Sequence, residues 1–264
     1  MSNDLVVIDN KLMEFGYSEE TLAELSQEEK QDLIEALNID MQEALEGVNL
    51  KPAKLKINKD IQQFADPFGE VLKEINGVLV HNHKTRGHWP KGSGKVPECS
   101  SKDAITGTVS ETGEKRKCAG CPYDQWRSTE TDAGEKRKSK ACKEMRRLFI
   151  DLKDYALPLM LSLPPTSIGE FDDYINARVT KGIPLLLKEM VIKLNKEESH
   201  GYTYAVAEFN IGDLIDPKRA ANVAKQRKSI KAFAAQEEIT QDDYINDDDD
   251  GNINLDSIST EDLA

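Results

Sequence analysis

Short runs of β-branched and aliphatic residues recur through the middle of the chain in a defined order. Three runs come first, one segment with helical spacing follows, and two further runs complete the series. Ser167 and Glu170 match the capping-box spacing and predict the start of the helix, which Gly182 ends. The last two runs flank a polar turn and predict a hairpin. The five predicted strands cover residues 77–82, 145–152, 156–163, 185–194 and 202–211.

Three strands, one helix and two strands are the element order of the OB-fold, a five-stranded, partly open Greek-key barrel. We therefore expect a mainly β protein with added helices, built around an OB-like core over residues 51–212. The connection between strands 1 and 2 runs from about residue 83 to residue 144. Loops of that length are uncommon unless they are functional, so this segment predicts a long insertion.

Three further segments flank the predicted core. Residues 1–50 contain cap-like starts at Ser18 and Ser26 before helically spaced leucines, and they predict an acidic helical arm. Asp216-Pro217 begins a basic helix over residues 213–236. Residues 237–264 are rich in aspartate and poor in large apolar residues, so we expect a disordered acidic tail.

Charge is distributed unevenly along this layout. The formal net charge is −13, from 35 basic and 48 acidic side chains. Residues 1–50 hold 13 acidic and 2 basic side chains, and residues 237–264 hold 11 acidic and none basic, which leaves 33 basic and 24 acidic between them. A basic body between acidic ends is typical of nucleic-acid binding by one part and partner contact by another. The alternative is that the acidic ends serve solubility alone.

All four cysteines lie in the predicted insertion. Cys118 and Cys121 have the knuckle spacing that turns two sulfurs toward one metal, and Cys99 and Cys142 supply the second pair. We expect one structural zinc, with an iron–sulfur cluster as the alternative. If one cysteine is not a ligand, His83 or His88 is the substitute, although His81 and His83 are better explained as alternate positions of a strand end and His88 as a loop residue.

The cellular compartment also bears on the cysteines. No apolar run approaches the ~20 residues that span a bilayer, and the first ten residues lack the pattern of a signal peptide. We expect a cytoplasmic protein without a membrane partner. Cysteines stay reduced there, which favours metal ligation over disulfides.

The insertion and its borders combine cations with aromatic rings. Proteins that bind single strands need both, because cations follow the phosphates and bases stack on flat rings. Packing around the metal is the alternative role of the two tryptophans. The predicted nucleic-acid contacts are Lys84, Arg86, Trp89, Lys91, Lys95, Tyr123, Trp126, Arg127, Lys140, Lys143, Arg146, Arg147, Tyr202 and Tyr204.

The acidic tail contains isolated apolar residues, as a partner-docking peptide does. The residues predicted to bind a replication or recombination partner are Leu255, Ile258, Asp262 and Leu263. A tethered polyanion also competes with DNA for a cationic groove.

The layout resembles phage single-stranded DNA-binding proteins, particularly the zinc-containing helix-destabilising proteins of large tailed phages. Segments 118–126 (CAGCPYDQW), 141–147 (ACKEMRR) and 163–167 (LPPTS) also look like proteins of phages and mobile elements. The resemblance covers about residues 70–212 and implies an OB-fold core, a metal knuckle and an acidic C-terminal tail. This chain departs from that family in using four cysteines where a histidine is usual, and in its acidic N-terminal arm.

We therefore expect a non-enzymatic protein that coats and protects single-stranded DNA during replication and recombination. No phosphate-binding glycine loop, His-Glu-x-x-His motif or obvious nucleophile is present in the sequence. Two alternatives remain: an iron–sulfur or metal-dependent nuclease or recombination enzyme, and a zinc-dependent transcription or replication adaptor.

Overall fold

The structure is a computed structural model that describes residues 8–13, 15–48, 52–58, 61–90, 94–130, 136, 139–199 and 202–243. The chain divides into two compact units, Met1–Lys51 and Pro52–Ala264. In the described part of the chain, no helix is both long and apolar enough to cross a membrane.

The first unit is helical, and local capping explains where its helices begin. Ser18 caps α1 (Glu19–Ala23) by accepting a hydrogen bond from the Thr21 amide. Ser26 and Glu29 form a complete capping box ahead of α2 (Gln27–Leu45), which satisfies two amides that a helix start leaves unpaired. Leu12, Leu22 and Ile34 are buried together in a small core.

The second unit is mainly β. Its longest strand, β4 (Glu74–His88), pairs in antiparallel fashion with β8 (Cys142–Asp151) from Val78 to His88. The remaining strands are β1 (Lys54–Asn58), β2 (Gln63–Ala65), β3 (Val71–Leu72), β5 (Cys99–Ser101), β6 (Thr106–Val109), β7 (Lys115–Lys117), β9 (Leu159–Leu163), β10 (Lys188–Ser199) and β11 (Tyr202–Leu214).

These strands form an open mixed sheet with the order β3-β2-β1-β9-β8-β4-β5-β6-β7. The first residues of β4 pair with β10, and β10 forms the predicted hairpin with β11. The parallel contact lies between β1 and β9, whereas the other pairings are antiparallel. Within the described residues β11 pairs with β10 alone, so the sheet is not closed and an OB-like barrel is not confirmed.

Helix α3 (Pro165–Thr180) lies where the open sheet leaves β11 without a second strand. The predicted capping box at its start is wrong: the helix begins at Pro165, and Pro164 at the N-cap position makes no side-chain cap. Ser167 is instead buried, and its Oγ accepts a hydrogen bond from the Ala207 amide of β11 at 2.9 Å. The hydroxyl thus gives the Ala207 amide an acceptor on the side of β11 where no strand pairs with it among the described residues.

Side-chain alternation gives β4, β8 and β9 two different faces. The inner face carries Leu79, Leu148 and Leu161 into the main core, which Phe171 of α3 also enters. The outer face carries Val78, Val80, Phe149 and Met160, which pack against Val223 and Ala234 of helix α4 (Pro217–Ala234). The basic C-terminal helix therefore covers part of the outer face.

The structure describes the first part of the predicted tail. Residues 237–243 continue from α4 and end in a short 3₁₀ helix, Gln241–Asp243, with Ile239 and Asp243 buried. The composition change at Glu237 therefore does not mark the end of packed structure. Residues 244–264, with the predicted partner contacts Leu255, Ile258, Asp262 and Leu263, lie outside the described residues.

Candidate metal and nucleic-acid site

Strand pairing brings two distant cysteines to either side of one histidine. His88, the last residue of β4, lies opposite Cys142 of β8 and opposite Cys99 of β5. Residues opposite each other on paired strands project from the same face of the sheet. Cys99, His88 and Cys142 therefore form a row across three strands, although Cys99 and Cys142 are far apart in the sequence.

The other two cysteines lie in a turn that follows β7. The Cys118 amide donates to the Ile105 carbonyl at 2.8 Å, and the Cys121 amide donates to the Cys118 carbonyl at 3.1 Å. Gly120 has φ +79°, a left-handed conformation that favours glycine. A β-carbon at Gly107 would lie 2.9 Å from the Cys99 sulfur, so glycine there leaves room for that thiol.

All four cysteines line one pocket, together with His88, Arg86, Tyr123 and Asp124. In the described ranges, however, no three or more His, Cys, Asp or Glu side chains are arranged as a group that could hold a metal ion. Tertiary structure thus gathers the predicted ligands into one pocket without forming a coordination shell.

Electrostatics agrees with this proximity. Burial raises the pKa of the Cys142 thiol to about 12; nearby Arg86 opposes the shift, while Cys118 and Cys121 add to it. Burial and the same two cysteines also raise the pKa of Cys99. The sulfurs of Cys118 and Cys121 therefore lie close enough to disfavour the thiolate forms of Cys99 and Cys142, a repulsion that a bound cation would relieve.

Arg86 connects the knuckle to the sheet. Its guanidinium lies 2.5 Å from Asp124, just after Cys121, and 2.7 Å from Glu144 of β8. Lys140 also contacts Asp124, at 2.9 Å, and Lys84 contacts Glu144 at 3.0 Å. Three predicted nucleic-acid contacts, Lys84, Arg86 and Lys140, thus form ion pairs within the protein.

Two aromatic side chains follow the knuckle on its exposed side. Tyr123 stacks on His88 with ring centroids 3.9 Å apart and is 38% exposed. Trp126 is 64% exposed, and Arg127 beside it is also exposed. These three residues can meet a ligand from solvent.

Trp89 has a different environment. A β-carbon at Gly87 would lie 2.1 Å from the Trp89 ring, so the indole packs directly over that glycine. Its Nε1 donates to the Lys95 carbonyl at 3.2 Å. Trp89 therefore fits a structural role, the alternative to stacking on bases, better than the exposed Trp126 does.

The two arginines of β8 point to opposite faces of the sheet, and both are paired. Arg146 lies 2.5 Å from Asp172 of α3 and donates to Asn82. Arg147 is fully buried and pairs with Asp243 at 2.7 Å. Arg147 can therefore meet DNA only if residues 237–243 move.

The other predicted contacts are spread over the unit. Lys143 lies in β8 beside the cysteine row, and Lys95 accepts the Trp89 hydrogen bond through its carbonyl. Tyr204 lies in the β10–β11 hairpin, where its hydroxyl donates to Glu197 at 3.2 Å. Lys91 and the Tyr202 side chain lie outside the described part of the chain.

Two features were missed by the sequence reasoning. His88 was assigned to a loop, but it ends a 15-residue strand and lines the cysteine pocket. The run Lys115–Lys117 forms a strand, β7, whose three residues are all exposed and which pairs with β6 and leads into Cys118. Three consecutive basic residues next to the knuckle were the available signal.

Comparisons with protein-family models, with curated proteins and with solved structures found no match to this chain.

Proposed function

We propose that this protein binds single-stranded DNA without catalysing a reaction, through a surface built around a zinc-supported cysteine knuckle. The observation that carries the proposal is the shared pocket of Cys99, Cys118, Cys121 and Cys142, with the exposed rings of Tyr123 and Trp126 beside it. A role in phage or mobile-element replication and recombination, in the cytoplasm, follows from the resemblance of the sequence.

Zinc suits the residues of this pocket. Structural zinc prefers four tetrahedral ligands, among which thiolates are common, and its binding contributes directly to folding. The four cysteines would hold it as thiolates, and His88, which lines the same pocket, would be the substitute if one cysteine is not a ligand. A polar segment with short strands needs such support, since β5, β6 and β7 together contribute few buried apolar side chains.

Single-strand binding fits the exposed residues at the knuckle. Trp126 and Tyr123 offer rings for base stacking, worth ~1–3 kcal/mol per base. Arg127 and the basic strand β7 lie on the same segment and can follow phosphates. Within the second unit β4, β8, β9, α3, β10 and β11 follow the predicted series of three strands, one helix and two strands, and this series supports the proposal of an OB-like core, in which strands 2 and 3 would bind oligonucleotides.

The proposal includes recruitment of a replication or recombination protein by residues 244–264. Leu255, Ile258, Asp262 and Leu263 remain the proposed contacts, on the strength of their sequence pattern alone.

Metal analysis and DNA titration of the full chain test the proposal together. We expect about one zinc per chain, lost in Cys118→Ser, and affinity for an oligo-dT that exceeds affinity for duplex and falls steeply with salt. Visible absorbance and iron would favour a cluster, and cleavage of the strand in magnesium would favour the nuclease. Zinc without any DNA binding would favour the adaptor.

A further inference from the structure

Helix α4 carries cations on the side that faces away from the sheet. Between Asp216 and Glu237 the chain has six basic side chains and no acidic one. Arg219 is turned inward, where its guanidinium lies 2.9 Å from Asp151 and 2.6 Å from Glu189. The other five basic residues are exposed: Lys218, Lys225, Arg227, Lys228 and Lys231.

These five cations form no ion pair within the described part of the chain. The knuckle differs in this respect, because three of its cations each contact a carboxylate. Solvated helix faces usually combine both signs at positions three or four residues apart. Lys225, Lys228 and Lys231 have that spacing with like charges, which is unfavourable for the helix alone. The exposed face of α4 therefore points to an anionic ligand.

This face has cations but no exposed aromatic ring. Small exposed residues, Ala221, Ala224 and Ala232, separate the cations and allow a ligand to approach closely, while Phe233 packs against the outer-face core. Without base stacking, a nucleic acid can bind here only through its phosphates. Each phosphate contact adds about 0.9 to the salt dependence on duplex and about 0.7 on a single strand. Such a face therefore favours duplex DNA, which has the higher charge density.

The geometry of the helix suits the same ligand. Lys218 and Lys231 are 13 residues apart, so the cations extend over about 20 Å of helix. Packing of Val223 and Ala234 against the sheet holds the helix in place. A straight and fixed row of charges matches the duplex, which is stiff over about 150 base pairs.

Helix α4 also runs toward the insertion. Near its start, Arg219 contacts Asp151, the last residue of β8, whereas Cys142 at the other end of β8 lines the cysteine pocket. At its far end, Lys102 of the segment between β5 and β6 donates to the Gln236 carbonyl. The row of cations therefore ends beside the insertion that carries the exposed rings.

We propose that α4 binds the phosphate backbone of duplex DNA, and that the protein recognises junctions between duplex and single strand. The duplex lies along α4, and the first unpaired bases stack on Tyr123 and Trp126. This inference rests on the proposed function and names the DNA structure that the protein binds. Neither surface needs to bind tightly alone, since two linked contacts can raise affinity by ~10²–10⁴.

Titration of the full chain with four DNAs tests the inference. These are an oligo-dT, a blunt duplex, and the same duplex with that oligo-dT as a 3′ or a 5′ tail. At least one tailed duplex should bind about tenfold or more tightly than both the oligo-dT and the blunt duplex. If neither tailed duplex binds more tightly than the oligo-dT, the inference is overturned, and oligo-dT binding leaves the proposed function intact.

A pair of charge-matched double variants identifies the surface. Lys225→Gln with Lys228→Gln should reduce the salt dependence on the tailed duplex by about 1.8, from two contacts of about 0.9 each, and leave oligo-dT binding unchanged. Lys73→Gln with Lys181→Gln removes the same charge at exposed positions outside α4 and should alter neither.

The remaining outcomes separate the two proposals. Equal losses of affinity for oligo-dT and for the tailed duplex in the α4 variant would place the single strand on α4 and overturn the junction. A protein that binds no oligo-dT would end the proposed function and the junction together, whatever its affinity for the blunt duplex.

Discussion

Arg86→Gln is the most informative change at the knuckle, because the sequence suggested that Arg86 contacts DNA and the structure gives it another task. The guanidinium lies 2.5 Å from Asp124 and 2.7 Å from Glu144, and its side chain is only 16% exposed. We expect Arg86 to hold the turn after Cys121 against β4 and β8. Its replacement should therefore loosen the knuckle before it affects any phosphate contact.

The magnitude follows from the two contacts. A hydrogen bond to a charged group contributes ~1.5–3 kcal/mol. The carboxylates are 18% and 25% exposed, and Arg86 Nε is buried without a partner, so the lower end of that range applies. Two such bonds give about 3 kcal/mol for local opening of the knuckle, a factor of about one hundred in its opening equilibrium at 1.4 kcal/mol per tenfold.

Lys84→Gln is the matched control. Lys84 is on the same strand and face and also contacts Glu144, but its side chain is 40% exposed. An exposed pair of this kind contributes about 0–1 kcal/mol. The amides of Cys121 and Asp124, which donate to the carbonyls of Cys118 and Cys121, report opening without reference to metal.

Hydrogen exchange at those two amides, zinc retention against a chelator and the salt dependence of oligo-dT binding should be measured on both variants. Arg86→Gln should exchange faster by about two orders of magnitude and release zinc more readily, whereas Lys84→Gln should resemble the parent. The reasoning is refuted if Arg86→Gln exchanges like Lys84→Gln and its salt slope falls by about 0.7, as loss of one phosphate contact would require.

Three further predictions concern other parts of the chain. Ser167→Ala should lower the free energy of unfolding by ~1–3 kcal/mol in denaturant titration, because the Ala207 amide loses its acceptor, whereas Thr166→Ala on the exposed side of α3 should have little effect. Trp126→Ala should weaken oligo-dT binding without changing its salt slope, while Trp89→Ala should chiefly lower the melting temperature; equal melting temperatures for the two would contradict the difference in their packing. Deletion of residues 244–264 and the single change Leu263→Ser should both abolish capture of a replication or recombination partner in a pull-down, and capture by either protein would remove that role from the tail.

The order of elements and the grouping of the cysteines are the parts that local sequence pattern could predict. Strand runs, a hairpin and the Ser26–Glu29 capping box depend on residues a few positions apart, and the structure contains each of them, although β9 begins only at Leu159 and residues 195–199 of the predicted turn belong to β10. Cys118 and Cys121 share a turn for the same reason. That Cys99 and Cys142 join them at one site was a hypothesis. The pairing of β5 and β8 with β4 agrees with this hypothesis, because all four cysteines line one pocket.

Tertiary structure alone decided which face and which partner each side chain has. A shift of one residue in strand register reverses the face of every side chain, and register is set by contacts between distant segments. His88 therefore joins the cysteines while His83 lies on the other face, a difference that sequence spacing could not reveal. The sequence likewise suggested that Arg147 is a free cation, but packing places Asp243, almost a hundred residues away, against it. The energy with which a charge interacts depends on its burial, and burial is a property of the whole fold.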